Sequence, residues 1–117
     1  MKVLFHLISG QTMPVYIASK ILKPEKNVYL YTSASDSNRN KDIIKNVISG
    51  DSDENLISAY DYRAISKSLL KLIEQYKDDE CILNFTGGTK IMSVASFNLF
   101  SQKDLTSVYV DTENRDF

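Results

Sequence analysis

The sequence predicts an α/β domain, a three-layer sandwich with a mainly parallel central sheet and the element order βαβαβαβαβ. Short β-rich apolar runs alternate with longer segments of helical period, the pattern of strands joined through helices. The runs are apolar almost without interruption, as strands covered on both faces must be. Right-handed crossovers between such strands then place helices on both sides of the sheet.

The first strand is read at Val3 to Ile8. Met13, Ile17 and Ile21 follow at helical spacing, Pro14 suits a first turn, and the helix stops at Lys23 because Pro24 disfavours α geometry before it. A second strand spans Val28 to Tyr31, and the polar run Ser33 to Lys41 reads as a mobile loop. Ile43, Ile44, Val47 and Ile48 form the next apolar stripe, with Gly50 placed to end that helix. Asp36, Asp51, Asp53 and Glu54 read as solvated loop in preference to metal ligands, so the third strand is placed at Leu56 to Tyr60. Asp61 is the expected N-cap of a helix running through Ile65, Leu69, Leu72, Ile73 and Tyr76. The fourth strand is Cys81 to Phe85, the fourth helix follows Gly88 with Met92, Ala95 and Leu99 on one face, and the fifth strand is Val108 to Val110.

Composition narrows the function. The 117 residues, 43% hydrophobic and 25% charged, suit one compact domain over 1–117 with no room for a second. A net charge of -1 argues against the broad basic surface that long nucleic acid needs, so any anionic ligand is small and locally held. Cys81 is the sole cysteine, which excludes a disulfide framework and a cysteine zinc site and fits a reducing compartment. The apolar N-terminus is too short to cross a bilayer, and the chain reads as cytoplasmic without a membrane partner. His6, the one histidine, falls inside the first strand and is expected to be a buried, hydrogen-bonded core residue. No metal or cofactor is expected.

In a sheet of this kind ligands sit beyond the carboxyl ends of the strands, where loops enter helices. Ser9-Gly10-Gln11-Thr12 follows the first strand, and taken alone it is a strand-to-helix turn with a hydroxyl cap. Thr86-Gly87-Gly88-Thr89-Lys90 follows the fourth, with paired glycines that let backbone approach a ligand and a threonine able to cap the helix or bind phosphate. Lys90 would meet the positive end of the helix dipole, an unfavourable placement by about 0.3–1 kcal/mol unless an anion is present. Neither G-x-x-x-x-G-K-[ST] nor G-x-G-x-x-G occurs, which counts against nucleoside triphosphates and dinucleotides. Thr32 and Ser33 add hydroxyls at the same sheet edge. Tyr60-Asp61-Tyr62-Arg63 reads equally as a base-stacking, phosphate-contacting segment or as a helix cap with packing aromatics.

Leu7 to Pro14 and Leu83 to Met92 resemble the two ligand loops of CARF domains, the CRISPR-associated Rossmann-like sensors, and the likeness extends over essentially the whole chain. The resemblance implies a homodimer gripping one cyclic oligoadenylate, cyclic tetra-adenylate being the expected ring. By position it assigns ligand contacts to Ser9, Gly10, Gln11 and Thr12 in the first loop and to Thr86, Gly87, Gly88, Thr89 and Lys90 in the second, while Thr32 and Ser33 are candidate contacts through their place at the sheet edge alone. It also implies slow, metal-independent ring cleavage as a companion activity, with Lys90 and Ser9 in the catalytic roles. The family usually continues beyond a run such as Asp111 to Phe117 into an effector domain, and the expectation here is a sensor without one. A regulatory or dimerisation α/β domain without a nucleotide ligand is the alternative.

Overall fold

The computed structural model describes residues 1–111, and the expectation placed on Thr112 to Phe117 lies outside them. Five strands and four helices alternate as β1 (Lys2–Leu7), α1 (Met13–Leu22), β2 (Lys26–Tyr31), α2 (Ser35–Val47), β3 (Asp51–Leu56), α3 (Tyr62–Gln75), β4 (Glu80–Asn84), α4 (Lys90–Gln102) and β5 (Thr106–Val108). All four strand pairings are parallel and the sheet order is β3-β2-β1-β4-β5, so the Rossmann-like α/β sandwich expected from the sequence is the fold. One core layer joins Val3, Phe5 and Leu83 to Ile65 and Leu69 of α3 and to Met92 and Phe100 of α4. On the opposite face Leu4, Ile8, Tyr29 and Ile82 pack against Val15 and Ala18 of α1 and Ile44 of α2. The chain thus leaves β1 toward one face and β4 toward the other, and the crevice between these neighbouring strands is the topological switch point.

Several local expectations are corrected. The third strand is Asp51–Leu56, not Leu56 to Tyr60, and Asp51, Asp53 and Glu54, expected in a solvated loop, belong to it. An edge strand tolerates this because its carboxylates meet cations. Lys26 Nζ lies 3.0 Å from Asp53, which also accepts a short hydrogen bond from the Tyr76 hydroxyl. Those two contacts, Tyr76 first, hold the Asp53 carboxyl below its usual range. Lys45 and Lys41 do the same for Glu54, at 2.9 and 3.3 Å.

The supposed mobile loop Ser33 to Lys41 is largely the start of α2, and Asp36 sits in that helix's first turn. Its buried positions Ser37, Asn40, Lys41 and Ile44 keep helical spacing, but the first three are polar. Each has a partner that offsets burial: Ser37 Oγ donates to Ile8 O at 2.8 Å, Asn40 Nδ2 to Ser9 O at 2.7 Å, and Lys41 lies 4.1 Å over the Tyr31 ring beside Glu54. Ile43 and Val47, assigned to the packed stripe, face solvent, and so do Met13 and Ile21 on α1, which buries Pro14, Val15 and Ala18 instead. The expected hydroxyl cap at Thr12 is also missing, since its side chain makes no capping bond. The fifth strand is Thr106–Val108, two residues earlier than expected.

Candidate functional site

The loop after β4 is built around an approach that only glycine permits. A Cβ on Gly87 would lie 2.3 Å from the carbonyl oxygen of Leu7 at the end of β1, and 3.4 Å from Ser9 Oγ. Gly88 has φ +84, in the left-handed region that side chains avoid. The two loops predicted as ligand-binding are therefore in contact and form one rim over the switch point. The amides of Gly87 and Gly88 make no hydrogen bond to the described residues, leaving two donors there. Thr89 caps α4: its Oγ1 accepts from Met92 N at 3.1 Å and donates to Ala59 O at 2.5 Å, tying this loop to the β3–α3 connection. Lys90 is the first residue of α4, exposed and in no ion pair among the described residues.

Behind the rim Asn84 satisfies all four of its hydrogen-bonding positions. Its Oδ1 accepts from Thr86 N and Thr86 Oγ1 at 3.3 and 2.7 Å, and its Nδ2 donates to Pro14 O and His6 Nδ1 at 3.3 and 3.1 Å. Thr86 Oγ1 in turn accepts from Val110 N at 2.7 Å, so this hydroxyl is committed within the fold. Sequence reasoning missed Asn84, Ser37 and Asn40 as the residues that hold the two loops.

His6 is fully buried, as expected. Its Nδ1 accepts from Asn84, so the ring proton is on Nε2 and is donated to Asn27 Oδ1 at 2.8 Å. Burial lowers its pKa from 6.5 to about 4, against a smaller raising effect of Asn27. The folded state keeps the ring neutral while the unfolded chain takes up a proton below 6.5, so stability falls with pH across the window from 6.5 to about 4. The expected loss between about pH 7.5 and 5 is about 2 kcal/mol. Urea unfolding at the two pH values checks it, and a His6→Leu variant should lose the difference. An unchanged slope in that variant would assign the effect to other groups.

Two clefts flank the rim. The larger, about 950 Å³, lies over the ends of β1, β2 and β3 and is lined by Ser9, Thr32, Ser33, Asp36, Tyr60, Tyr62, Gly88 and Thr89 among others. The smaller, about 500 Å³, lies on the β4–β5 side and takes in Gly10, Gln11, Thr86 and Gly87, with Ser9 shared between the two. Thr32 is buried, and its Oγ1 accepts from Ala34 N at 3.3 Å. Of the predicted site residues, Thr12 and Lys90 line neither cleft. Tyr60 and Tyr62 are 75% and 45% exposed at the mouth of the larger cleft.

The family model of the Card1 CARF domain matches residues 3–117. The chain belongs to this CARF family. Solved structures place the CARF fold in context. Can2 from Sulfobacillus thermosulfidooxidans in complex with cyclic tetra-adenylate is 26% identical with a TM-score of 0.83, over 98% of this chain and 33% of that one. Csm6 of Enterococcus italicus, bound to cyclic hexa-2′-fluoro-hexa-dAMP, is 17% identical with a TM-score of 0.74, over 96% of this chain and 34% of that one. A type III CRISPR defence DNA nuclease activated by cyclic oligoadenylate is 19% identical with a TM-score of 0.75, over 93% of this chain and 18% of that one. The last two likenesses are of fold. This CARF chain spans about a third or less of the length of these three proteins. None of the curated proteins matches it significantly. Among the described residues no helix is long and apolar enough to cross a membrane.

Proposed function

We propose that this CARF domain is a cytoplasmic sensor of cyclic oligoadenylate in type III CRISPR defence, with the four-adenylate ring as expected ligand and one ring held per homodimer. The observation that carries the reading is the junction of the two loops at the switch point. Gly87 seats the second loop against the first, beside two amides that have no hydrogen-bond partner among the described residues, in a chain of the CARF family. Can2, the 26% identical structure, is in complex with cyclic tetra-adenylate. Phosphate would meet the glycine amides and the N-terminal end of α4, where Lys90 stands.

The second copy has a surface to occupy. The outer face of α4 presents Ile91, Val94 and Phe97, respectively 38%, 52% and 41% exposed, and Phe97 packs 5.0 Å from Phe85. Lys90 lies at the end of this stripe, so a two-fold axis running alongside α4, which sets the two helices parallel, would bring both lysines and both glycine loops together. An even-membered ring shares that symmetry. A sealed His6 is out of reach as a general base, which favours sensing over efficient cleavage. Any ring cleavage would depend on the ligand's own 2′-hydroxyl, with Ser9 to orient the ribose and Lys90 and the amides of Gly87 and Gly88 to stabilise the developing charge.

Calorimetric titration with cyclic tri-, tetra- and hexa-adenylate, read with native mass spectrometry, tests the reading. One tetra-adenylate ring per two chains is expected, and absence of binding at micromolar concentration would leave the non-nucleotide regulatory domain as the better account. Lys90→Ala is expected to weaken ring binding about tenfold or more through loss of one charge-assisted contact. The same change should leave the free protein as stable, or more stable by about 0.3–1 kcal/mol, because the dipole conflict disappears. Chromatography of ring incubated in EDTA reports any cleavage.

A further inference from the structure

We propose that Asp36 reads the base: its free carboxylate oxygen accepts a hydrogen bond from the 6-amine of an adenine seated in the larger cleft. The proposal rests on the nucleotide-sensing reading and assigns a specificity residue within it. The cleft is lined by two carboxylates, Asp36 and Asp61, and among the described residues by no lysine, arginine or histidine. Such a wall repels phosphate and suits a neutral ring that carries N–H donors. The cleft volume of about 950 Å³ is at the upper end of the range for small-molecule sites. At its mouth the exposed rings of Tyr60 and Tyr62 offer faces for stacking.

The two carboxylates are not equivalent. Asp61 Oδ1 accepts from Ala64 N at 3.1 Å as the cap of α3, at the far rim of the cleft. Asp36 Oδ1 accepts from Ser37 N at 2.8 Å, which fixes the side chain in the first turn of α2. Its Oδ2 then lies beside the first ligand loop, 3.5 Å from where a Cβ on Gly10 would be. Asp36 is in no ion pair among the described residues. A carboxylate oxygen held against the ligand loop without a cation wants a donor, and the exocyclic amine is the donor that distinguishes adenine from unsubstituted purine.

The test pairs a protein change with a ligand change. Binding of cyclic tetra-adenylate is compared with binding of the same ring built from purine riboside, which lacks the 6-amine. Wild type should prefer the adenylate ring by about tenfold, the effect of one charge-assisted hydrogen bond. Asp36→Asn keeps an acceptor for Ser37 N but puts an amide donor where Oδ2 was, and it should bind both rings alike. Asp36→Ser, also suited to a first helical turn, is the second variant should the first unfold. An equal preference for the adenylate ring in wild type and variants overturns the proposal while leaving ring sensing intact. If wild type binds neither ring, the sensing reading falls and the base-reading role with it.

Discussion

Gly87→Ala is expected to destabilise the domain by about 3 kcal/mol or more and to abolish ring binding. A Cβ placed 2.3 Å from Leu7 O meets backbone at the end of the central strand, where no side-chain rotation can relieve it. Either the end of β1, which leads into the first ligand loop, or the β4–α4 loop must shift, and proposed ligand groups move with either. Against a total stability of roughly 5–15 kcal/mol this is a large fraction. Gly10→Ala is the control, since its Cβ would meet only Asp36 Oδ2 at an ordinary 3.5 Å. Thermal unfolding of the two variants should separate them widely. Equal stability would mean that the loop yields freely and that the rim is not a rigid feature.

Asn84→Leu is expected to have an effect of similar size, about 3–5 kcal/mol. The amide is 2% exposed and makes four hydrogen bonds, so an apolar replacement leaves His6 Nδ1, Pro14 O and the Thr86 groups without it. Losing a whole buried network exceeds the loss of one bond because the abandoned groups remain desolvated. Urea unfolding measures the change, and ring titration of the folded fraction should show weakened binding because the Thr86 loop loses its anchor. A loss below about 1 kcal/mol would show that the two loops are held by other contacts.

The parts of the fold that were legible are those whose buried positions are apolar and whose caps are conventional. Asp61 and Thr89 cap their helices, and Ile65, Leu69, Met92 and Ala95 are buried at helical spacing. Helix α2 was obscured because Ser37, Asn40 and Lys41 occupy its packed face, and their partners lie on the loop that follows β1 and on β2 and β3. Strand β3 was obscured for the same reason, its carboxylates being matched by Lys26, Lys41 and Lys45 from neighbouring elements. On α1 the period was right and the side was wrong, since the tight contact with the sheet is made by Val15 and Ala18 while the larger Met13 and Ile21 face out. The glycine loop of the candidate site could be read locally. The role of Asn84 could not, because its partners Pro14 and His6 are 70 and 78 residues away in sequence.

The sheet order also governs how the chain comes into being. β1 precedes the other strands of the sheet in the chain and is the central one, pairing on one side with β2 and on the other with β4, as in Val3 with Lys26 and Lys2 with Glu80. All the pairings are parallel, so none joins its strands across a hairpin and each spans a crossover connection. Parallel pairing of distant segments is slow for this reason, closer to the millisecond-to-second range than to the microseconds of local folds. On a ribosome delivering about 5–20 residues per second, one edge of β1 waits several seconds for its partner. Val3 and Phe5, wholly buried in the finished domain in the layer supplied by α3 and α4, lack that cover for the same interval. The same central strand that unites the two ligand loops is thus the segment most in need of protection while the chain is being made.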